Sequence, residues 1–152
     1  SDVCSSDLRG PDYTYNMERL LRKFETAAQI VPQPVITPAA KPTSIGVVYF
    51  GSTSPAMAEA LDVLSEQGVH IDSMRLRAFP FSKAVPEFIA AHDKVFVVEQ
   101  NRDAQMHALL VNELDINPAQ LQRVLHYDGT PITARFIASA ISRHLSHQKE
   151  SA

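Results

Sequence analysis

The spacing of apolar residues predicts a helix near the N-terminus. From Asn16 to Val31 they recur every three or four positions, which is the period of one helical face. They are Met17, Leu20, Leu21, Phe24 and Ala28. Asn16 can serve as the N-cap and Pro32 cannot continue the pattern, so we expect a connecting helix within residues 12–31. Its other face carries charges of both signs, which is typical of a solvated face and less often of a docking surface. These charged residues are Arg19, Arg22, Lys23 and Glu25.

Four prolines follow this helix within residues 32–44. They are Pro32, Pro34, Pro38 and Pro42. Because proline removes a backbone donor and restricts φ, this stretch cannot continue a helix and favours an extended backbone. We expect a linker here.

From Ile45 onward, short apolar runs alternate with stretches of helical periodicity. The runs predict strands at Ile45–Phe50, Val69–Leu76, Lys94–Val98 and Val124–Tyr127. Parallel strands need crossover connections, and a helix after each strand provides them. The sequence therefore predicts an α/β fold over residues 45–145. We expect a three-layer sandwich with a mostly parallel sheet of about four to five strands and helices on both faces. A polar tail, residues 146–152, follows.

Capping residues mark where these helices begin and end. Ser54, Asn101 and Thr130 stand where an N-cap is expected, and Ser82 introduces the helix before the third strand. Gly68 stands where a helix commonly ends in a left-handed residue. The apolar positions expected to face the core are Met57, Ala60, Leu61, Leu64, Val85, Phe88, Ile89, Met106, Leu109, Leu110, Leu114, Ile132, Phe136, Ile137, Ala140 and Ile141.

Composition narrows the functional classes. With 152 residues, 45% of them hydrophobic, the chain is long enough for one globular domain plus an extension. The net charge of −3, with acids and bases mixed, offers no basic field for nucleic acid. The sequence contains neither a long apolar run nor a signal peptide, so we expect a soluble cytoplasmic protein with no membrane partner. One cysteine, Cys4, allows neither an internal disulfide nor a cluster held by four cysteines of this chain.

Residues 1–8 resemble the translation of a sequencing-adapter oligonucleotide, and we leave them out of the fold prediction. The alternative is a natural tail of small polar residues. Under the first interpretation the chain is a fragment of a longer protein, with residues 1–11 an artefactual or disordered leader.

The first predicted strand leads into a loop that could hold an anion. Gly51, Ser52, Thr53 and Ser54 precede Pro55 at a helix N-terminus, where backbone amides point above the carboxyl edge of the sheet. The spaced glycines of a dinucleotide motif and the lysine of a phosphate loop are absent. Ordinary turn and capping roles therefore remain open beside ligand binding.

The third predicted strand ends in a second polar loop. Glu99, Gln100, Asn101 and Arg102 directly follow an apolar run at the edge where open α/β sheets meet ligands and partners. These side chains are too polar for a core, so we expect a candidate interface. The alternative is structural, with Asn101 capping the next helix.

The sequence contains no recognisable catalytic or metal-binding constellation. Its six histidines form no ligand pattern, and no serine or cysteine lies in a glycine-flanked nucleophile elbow. We therefore assign no catalytic, cofactor-binding or metal residue in this chain.

Four segments resemble the α subunit of 2-oxoacid:ferredoxin oxidoreductases, in particular the 2-oxoglutarate type. They are Asn16–Ala28, Val31–Pro34, Arg75–Phe81 and Val97–His107. The resemblance covers about residues 12–145 and implies a transketolase C-terminal-like domain. It implies an enzyme that uses thiamine diphosphate, magnesium and an iron–sulfur cluster to convert 2-oxoglutarate and coenzyme A to succinyl-CoA, with reduction of ferredoxin.

The resemblance also implies partners and a role. The β subunit would mainly hold the diphosphate and its magnesium, and an upstream α-subunit domain would hold the pyrimidine ring. The position of the iron–sulfur cluster stays open, and ferredoxin would be met through the holoenzyme. This chain would act in assembly and architecture, and would be inactive alone. The alternative, from a different class, is a free-standing α/β binding or regulatory module that holds a phosphorylated ligand at Gly51–Pro55.

Overall fold

The structure is a computed structural model that describes the backbone of residues 9–149 and the side chains of residues 9–146. The helices are α1 (Gly10–Ile30), α2 (Ser54–Glu66), α3 (Ala84–Ala90), α4 (Gln105–Leu114) and α5 (Ala134–Lys149). The strands are β1 (Val35–Thr37), β2 (Ile45–Phe50), β3 (Asp72–Leu76), β4 (Lys94–Glu99) and β5 (Leu121–Leu125). Short 3₁₀ turns lie at Gly51–Thr53 and Pro118–Gln120.

The five strands form one sheet in the order β1-β3-β2-β4-β5. The pairs β2–β3, β2–β4 and β4–β5 are parallel, and β1 pairs with β3 in the antiparallel direction. Strand–helix alternation thus produces the expected crossovers, and the α/β prediction with a mostly parallel sheet is confirmed.

The core lies in two layers, one on each face of the sheet. Along β4, Phe96 and Val98 face the cluster covered by α2 and α5, while Val95 and Val97 face the cluster covered by α3 and α4. This alternation follows from the two-residue period of a strand. All four residues are fully buried, which explains why the run is apolar throughout. The three-layer arrangement is therefore confirmed.

A close approach of α3 to β2 depends on Gly46. A Cβ at this position would lie 3.0 Å from Phe88 Cε1 and 3.2 Å from His92 Cγ. Only a residue without a side chain lets these two rings pack so close to the strand.

The proline-rich segment is not a linker throughout, which corrects the prediction for residues 32–44. Its centre forms β1, with Val35 opposite Arg75 and Thr37 opposite Ser73. Pro34 and Pro38 flank the strand, as expected where the sheet edge is open. The Asp72 carboxylate fixes the chain just after β1, because its Oδ1 accepts a hydrogen bond from the Ala39 amide at 2.7 Å.

Several predicted helix ends were wrong. The first helix begins at Gly10, within the last two residues of the predicted leader, so Asn16 lies inside the helix and does not cap it. Ser54 is the first residue of α2, and Thr53 is its N-cap. Thr130 is bound in a turn, where its hydroxyl donates to Asp128 Oδ1 at 2.7 Å.

Other boundaries moved by a few residues. Thr133 caps α5 instead of Thr130, since its Oγ1 accepts from the Phe136 amide at 3.2 Å. The predicted polar tail begins too early, because α5 continues through residue 149. Gly68 is confirmed as a left-handed helix terminus, with a φ of +78°. The prediction for residues 1–8 lies outside the described residues.

Candidate functional site

The two loops selected from the sequence meet at one point of the sheet. From β2 the chain continues to β3 on one side, and then returns to β4 on the other side of β2. Such a reversal opens a crevice outside the carboxyl ends of the two central strands, where α/β proteins bind ligands. The crevice here is a cleft of about 440 Å³. It is lined by Phe50, Gly51, Ser52, Thr53, Gln100, Asn101, Gln105, Met106 and Leu109.

Gln100 joins the two loops directly. Its side-chain amide donates to Ser52 Oγ at 3.1 Å and to Thr53 Oγ1 at 3.2 Å. Thr53 is buried and Gln100 is exposed, so the amide spans the entrance of the cleft from β4 to the start of α2. Gln100 lies 48 positions after Ser52 and 47 positions after Thr53 in the chain. The three residues nevertheless form one wall of the cleft.

Glu99 is the residue that the structure places differently from the sequence prediction. It is fully buried at the end of β4, although its charge suggested a surface position. Its Oε2 accepts from the Met106 amide at 2.8 Å, and its Oε1 accepts from the His107 amide at 3.0 Å. Oε2 also accepts from the Asn101 side-chain amide at 2.7 Å. A buried carboxylate is tolerated when donors surround it, and the positive N-terminal end of α4 adds a favourable field. The expectation that Glu99 is too polar for the core is therefore wrong.

Asn101 supports the same turn without being the N-cap residue. The N-cap of α4 is Ala104, which has a left-handed φ of 52°. Asn101 Oδ1 accepts from the Gln105 amide at 3.2 Å, so Asn101 still satisfies the first helical donor. Together with Glu99 it fixes the loop that leads from β4 into α4.

Of the four candidate interface residues, Gln100 and Arg102 are exposed at the end of the sheet. Arg102 Nε lies 2.8 Å from Asp103 Oδ1, and both side chains are largely exposed. An interface role for the loop stays a prediction, with Gln100 and Arg102 as the residues that a partner can reach.

The cleft is uncharged along its described lining, and most of that lining is apolar. Its hydrogen-bonding groups are amides and hydroxyls, opposite an apolar wall of Phe50, Met106 and Leu109. The α2 N-terminus could attract an anion, but Pro55 in its first turn removes one amide donor. Anion binding at Gly51–Ser54 stays a prediction, without support from a lysine or arginine in the lining.

The sequence analysis missed three buried histidines near the sheet, His92, His107 and His126. His107 is buried in α4, and its pKa lies below the ordinary value because burial disfavours the charged ring and the Arg123 charge opposes it. Its helical spacing from Leu110 and Leu114 could have indicated an inward position. His92 is buried as well, with Nδ1 2.7 Å from the Phe88 carbonyl and Nε2 3.1 Å from Asp72 Oδ2. No sequence pattern indicated that second contact.

Among the side chains of residues 9–146, no group of three or more His, Cys, Asp or Glu is arranged to hold a metal ion. In the same part of the chain, no helix is long and apolar enough to cross a membrane.

Comparison with known proteins shows which proteins this chain is related to. No family model matches the chain. A curated protein, the α subunit of 2-oxoacid:ferredoxin oxidoreductase 2 of Aeropyrum pernix, is 29% identical over 133 residues, which are 85% of this chain. The chain is thereby confirmed as a relative of 2-oxoacid:ferredoxin oxidoreductase α subunits. It spans about a fifth of the length of that curated relative, 20%.

Three solved structures share the fold of this oxidoreductase relative. The 2-oxoglutarate:ferredoxin oxidoreductase of Magnetococcus marinus matches 90% of this chain and 24% of its own, with a TM-score of 0.77 and 19% identity. A split-gene transketolase matches 75% of this chain and 41% of its own, with a TM-score of 0.60 and 16% identity. The α chain of a probable 2-oxoacid ferredoxin oxidoreductase from Thermoplasma acidophilum matches 75% of this chain and 97% of its own, with a TM-score of 0.50 and 23% identity. The transketolase match agrees with the expected transketolase C-terminal-like fold.

Proposed function

We propose that this chain serves as an assembly domain of the α subunit of a 2-oxoacid:ferredoxin oxidoreductase that converts 2-oxoglutarate and coenzyme A to succinyl-CoA. The observation that carries the proposal is the 29% identity over 133 residues with a curated α subunit. The choice of 2-oxoglutarate is supported by the Magnetococcus protein, whose structure contains 2-oxoglutarate, coenzyme A and succinyl-CoA.

The described residues favour an architectural role over a catalytic one. The buried carboxylate at the sheet's carboxyl edge, Glu99, is engaged in internal contacts with the amides of Met106 and His107. General acid–base or nucleophilic catalysis needs a side chain that can reach a substrate, and Glu99 is fully buried. The two buried clusters instead give a rigid platform beneath the uncharged cleft.

The proposed activity requires thiamine diphosphate, magnesium and an iron–sulfur cluster, and we assign them to other parts of the complex. The side chains described here do not fit these groups. They form no metal-ligating cluster, and the cleft lining lacks a cation for a diphosphate. No chemical step is therefore derived through a cofactor in this chain.

The test is to produce the complete α subunit that contains this domain together with a β subunit. We expect reduction of ferredoxin that requires both 2-oxoglutarate and coenzyme A, and no turnover by the 152-residue chain alone. Pyruvate in place of 2-oxoglutarate is the matched substrate comparison. Turnover by the isolated chain would contradict the assembly role, and a complex that uses no 2-oxoacid would contradict the proposed activity.

No specific observation in the cleft supports the alternative function, a module that binds a phosphorylated ligand at Gly51–Pro55. Titration with inorganic phosphate, followed by the amide chemical shifts of Gly51 to Ser54 and of Ala56, separates the two. Saturable shifts at micromolar concentration would favour the module.

A further inference from the structure

One face of α1 is apolar and exposed. The residues on it, here called the α1 stripe, are Tyr13, Met17, Leu20, Leu21 and Phe24. Their exposed fractions run from 39% for Met17 to 64% for Leu21. None of the 21 residues of this helix is buried. A helix in a protein gains most of its stability from packing its apolar face against another element. An exposed stripe of this kind therefore indicates a surface that another structure covers.

The stripe occupies one side of the helix. Steps of four, three and four residues lead from Tyr13 through Met17 and Leu20 to Phe24, which is the spacing of a seam that packs against another element. The opposite side carries Arg19, Arg22 and Thr26, with the exposed Tyr15 among them. The stripe is therefore the more continuous apolar side of the helix.

The rest of the described domain covers only the end of this stripe. Phe24 and Phe79 meet edge to face with ring centroids 6.3 Å apart, and Phe79 meets Phe81 in the same manner at 5.3 Å. Phe79 is itself 42% exposed. The apolar surface thus continues from α1 onto the loop after β3, and the N-terminal half of the stripe extends away from the domain.

The size of the surface is that of a specific interface. Five half-exposed side chains leave on the order of 400–500 Å² of apolar area, taking about 150–250 Å² for a whole aromatic side chain. A specific interface buries about 800 Å² on each partner, and only about 56–58% of that area is apolar. The stripe therefore supplies about the apolar area that one side of such an interface needs. An occupant that also covers Phe79 must extend beyond α1 onto the loop after β3.

The comparisons indicate which domain is available. The match with the Magnetococcus subunit covers 90% of this chain. The uncovered tenth of the 152 residues is shorter than the 21 residues of α1, so the match must include part of α1. Three quarters of that subunit lie outside the match, since 24% is covered. The matched region therefore belongs to a subunit that has much further polypeptide outside this domain.

We propose that the α1 stripe docks, together with Phe79, against the part of the α subunit that lies outside this domain. This inference rests on the proposed function and names the contact through which the assembly role is performed. The contact with the rest of the subunit is then made by the α1 stripe and not by Glu99, because Glu99 is buried within its own domain.

Cysteine labelling tests the contact. In a background with Cys4→Ser, the variant Leu21→Cys places a thiol on the stripe, and Thr26→Cys is the matched control on the opposite face. Both positions are exposed in the chain described here. We expect similar maleimide labelling rates for the two variants in the isolated chain. In the complete α subunit we expect labelling at residue 21 to slow by about tenfold or more, and labelling at residue 26 to change little.

Two results would overturn the inference. One is equal labelling of both variants in the complete subunit. The other is protection of residue 21 in the isolated chain that grows with concentration, since a second copy would then cover the stripe. Turnover of the complete enzyme with 2-oxoglutarate is measured separately. An active enzyme with an unprotected stripe contradicts the docking alone, and a protected stripe in an enzyme without 2-oxoacid activity contradicts the proposed function alone.

Discussion

The carboxylate of Glu99 accepts a hydrogen bond from the backbone amide of His107 at 3.0 Å, eight positions further along the chain. The bond ties the end of the central strand β4 to the start of α4. The same carboxylate binds the Met106 amide at 2.8 Å, so the first turn of α4 is satisfied by a side chain from the sheet. A strand terminus and a helix terminus are thus joined beneath the cleft.

Replacing Glu99 should destabilise the isolated chain. Glu99→Ala removes three hydrogen bonds and leaves two backbone donors without their acceptor, so we expect a loss of about 1–3 kcal/mol in the free energy of unfolding. The measurement is urea unfolding followed by circular dichroism. Arg102→Ala is the matched control, because the Arg102 side chain is largely exposed and pairs with the exposed Asp103, so its change should stay within about 0.5 kcal/mol. Equal stability of Glu99→Ala and wild type would contradict the structural role.

Adding a methyl group at Gly46 should crowd the contact between β2 and α3. The new Cβ would lie 3.0 Å from Phe88 Cε1, and we expect a cost of about 1–3 kcal/mol from overpacking. Gly10→Ala in α1 is the control, since nothing lies within 4 Å of a Cβ there. That change should be neutral or stabilising by up to about 1 kcal/mol. Thermal unfolding of both variants checks the contrast, and a Gly46→Ala protein as stable as Gly10→Ala would refute the close approach.

Asp72 should anchor the edge strand β1. Its two carboxylate oxygens contact the Ala39 amide at 2.7 Å and His92 Nε2 at 3.1 Å. Asp72→Ala removes both contacts, and we expect a loss of about 1–2 kcal/mol together with faster amide exchange in β1. The exposed Asp93 serves as control in Asp93→Ala. Unchanged exchange at Ile36 and Thr37 in Asp72→Ala would show that the strand does not depend on this carboxylate.

His107 should make stability depend on pH below 6.5. Burial, and then the Arg123 charge, lower the pKa of His107 from the ordinary 6.5. As the pH falls through 6.5, the unfolded chain binds a proton that the folded protein binds only at lower pH, so stability decreases. Above that value the ring is neutral in both states and contributes no slope. Unfolding free energies measured from about pH 7.5 to 5.5 should show a smaller decline in His107→Gln than in wild type. An identical slope in the two proteins would contradict this assignment.

Much of the fold follows from local pattern. The run Val95–Val98 is apolar at every position because both faces of a central strand are covered, and this feature is visible in the sequence. Helical periodicity likewise identified the buried stripe of α2, with Met57, Ala60 and Leu64 all buried. Left-handed Gly68 and Gly129 occupy turns that their lack of a Cβ permits. Such features depend on neighbours along the chain, so the sequence determines them.

The tertiary structure decided what depends on distant partners. The proline-rich segment becomes β1 because β3 lies beside it, and no local preference indicates that pairing. Glu99 is buried because α4 returns its amides to the end of β4, whereas its charge alone predicts exposure. Gln100 and Ser52 meet only because the strand order reverses between β2 and β4. The apolar side of α1 was visible in the sequence, but only the structure shows that its own domain leaves that side uncovered, since burial depends on which surfaces meet in space.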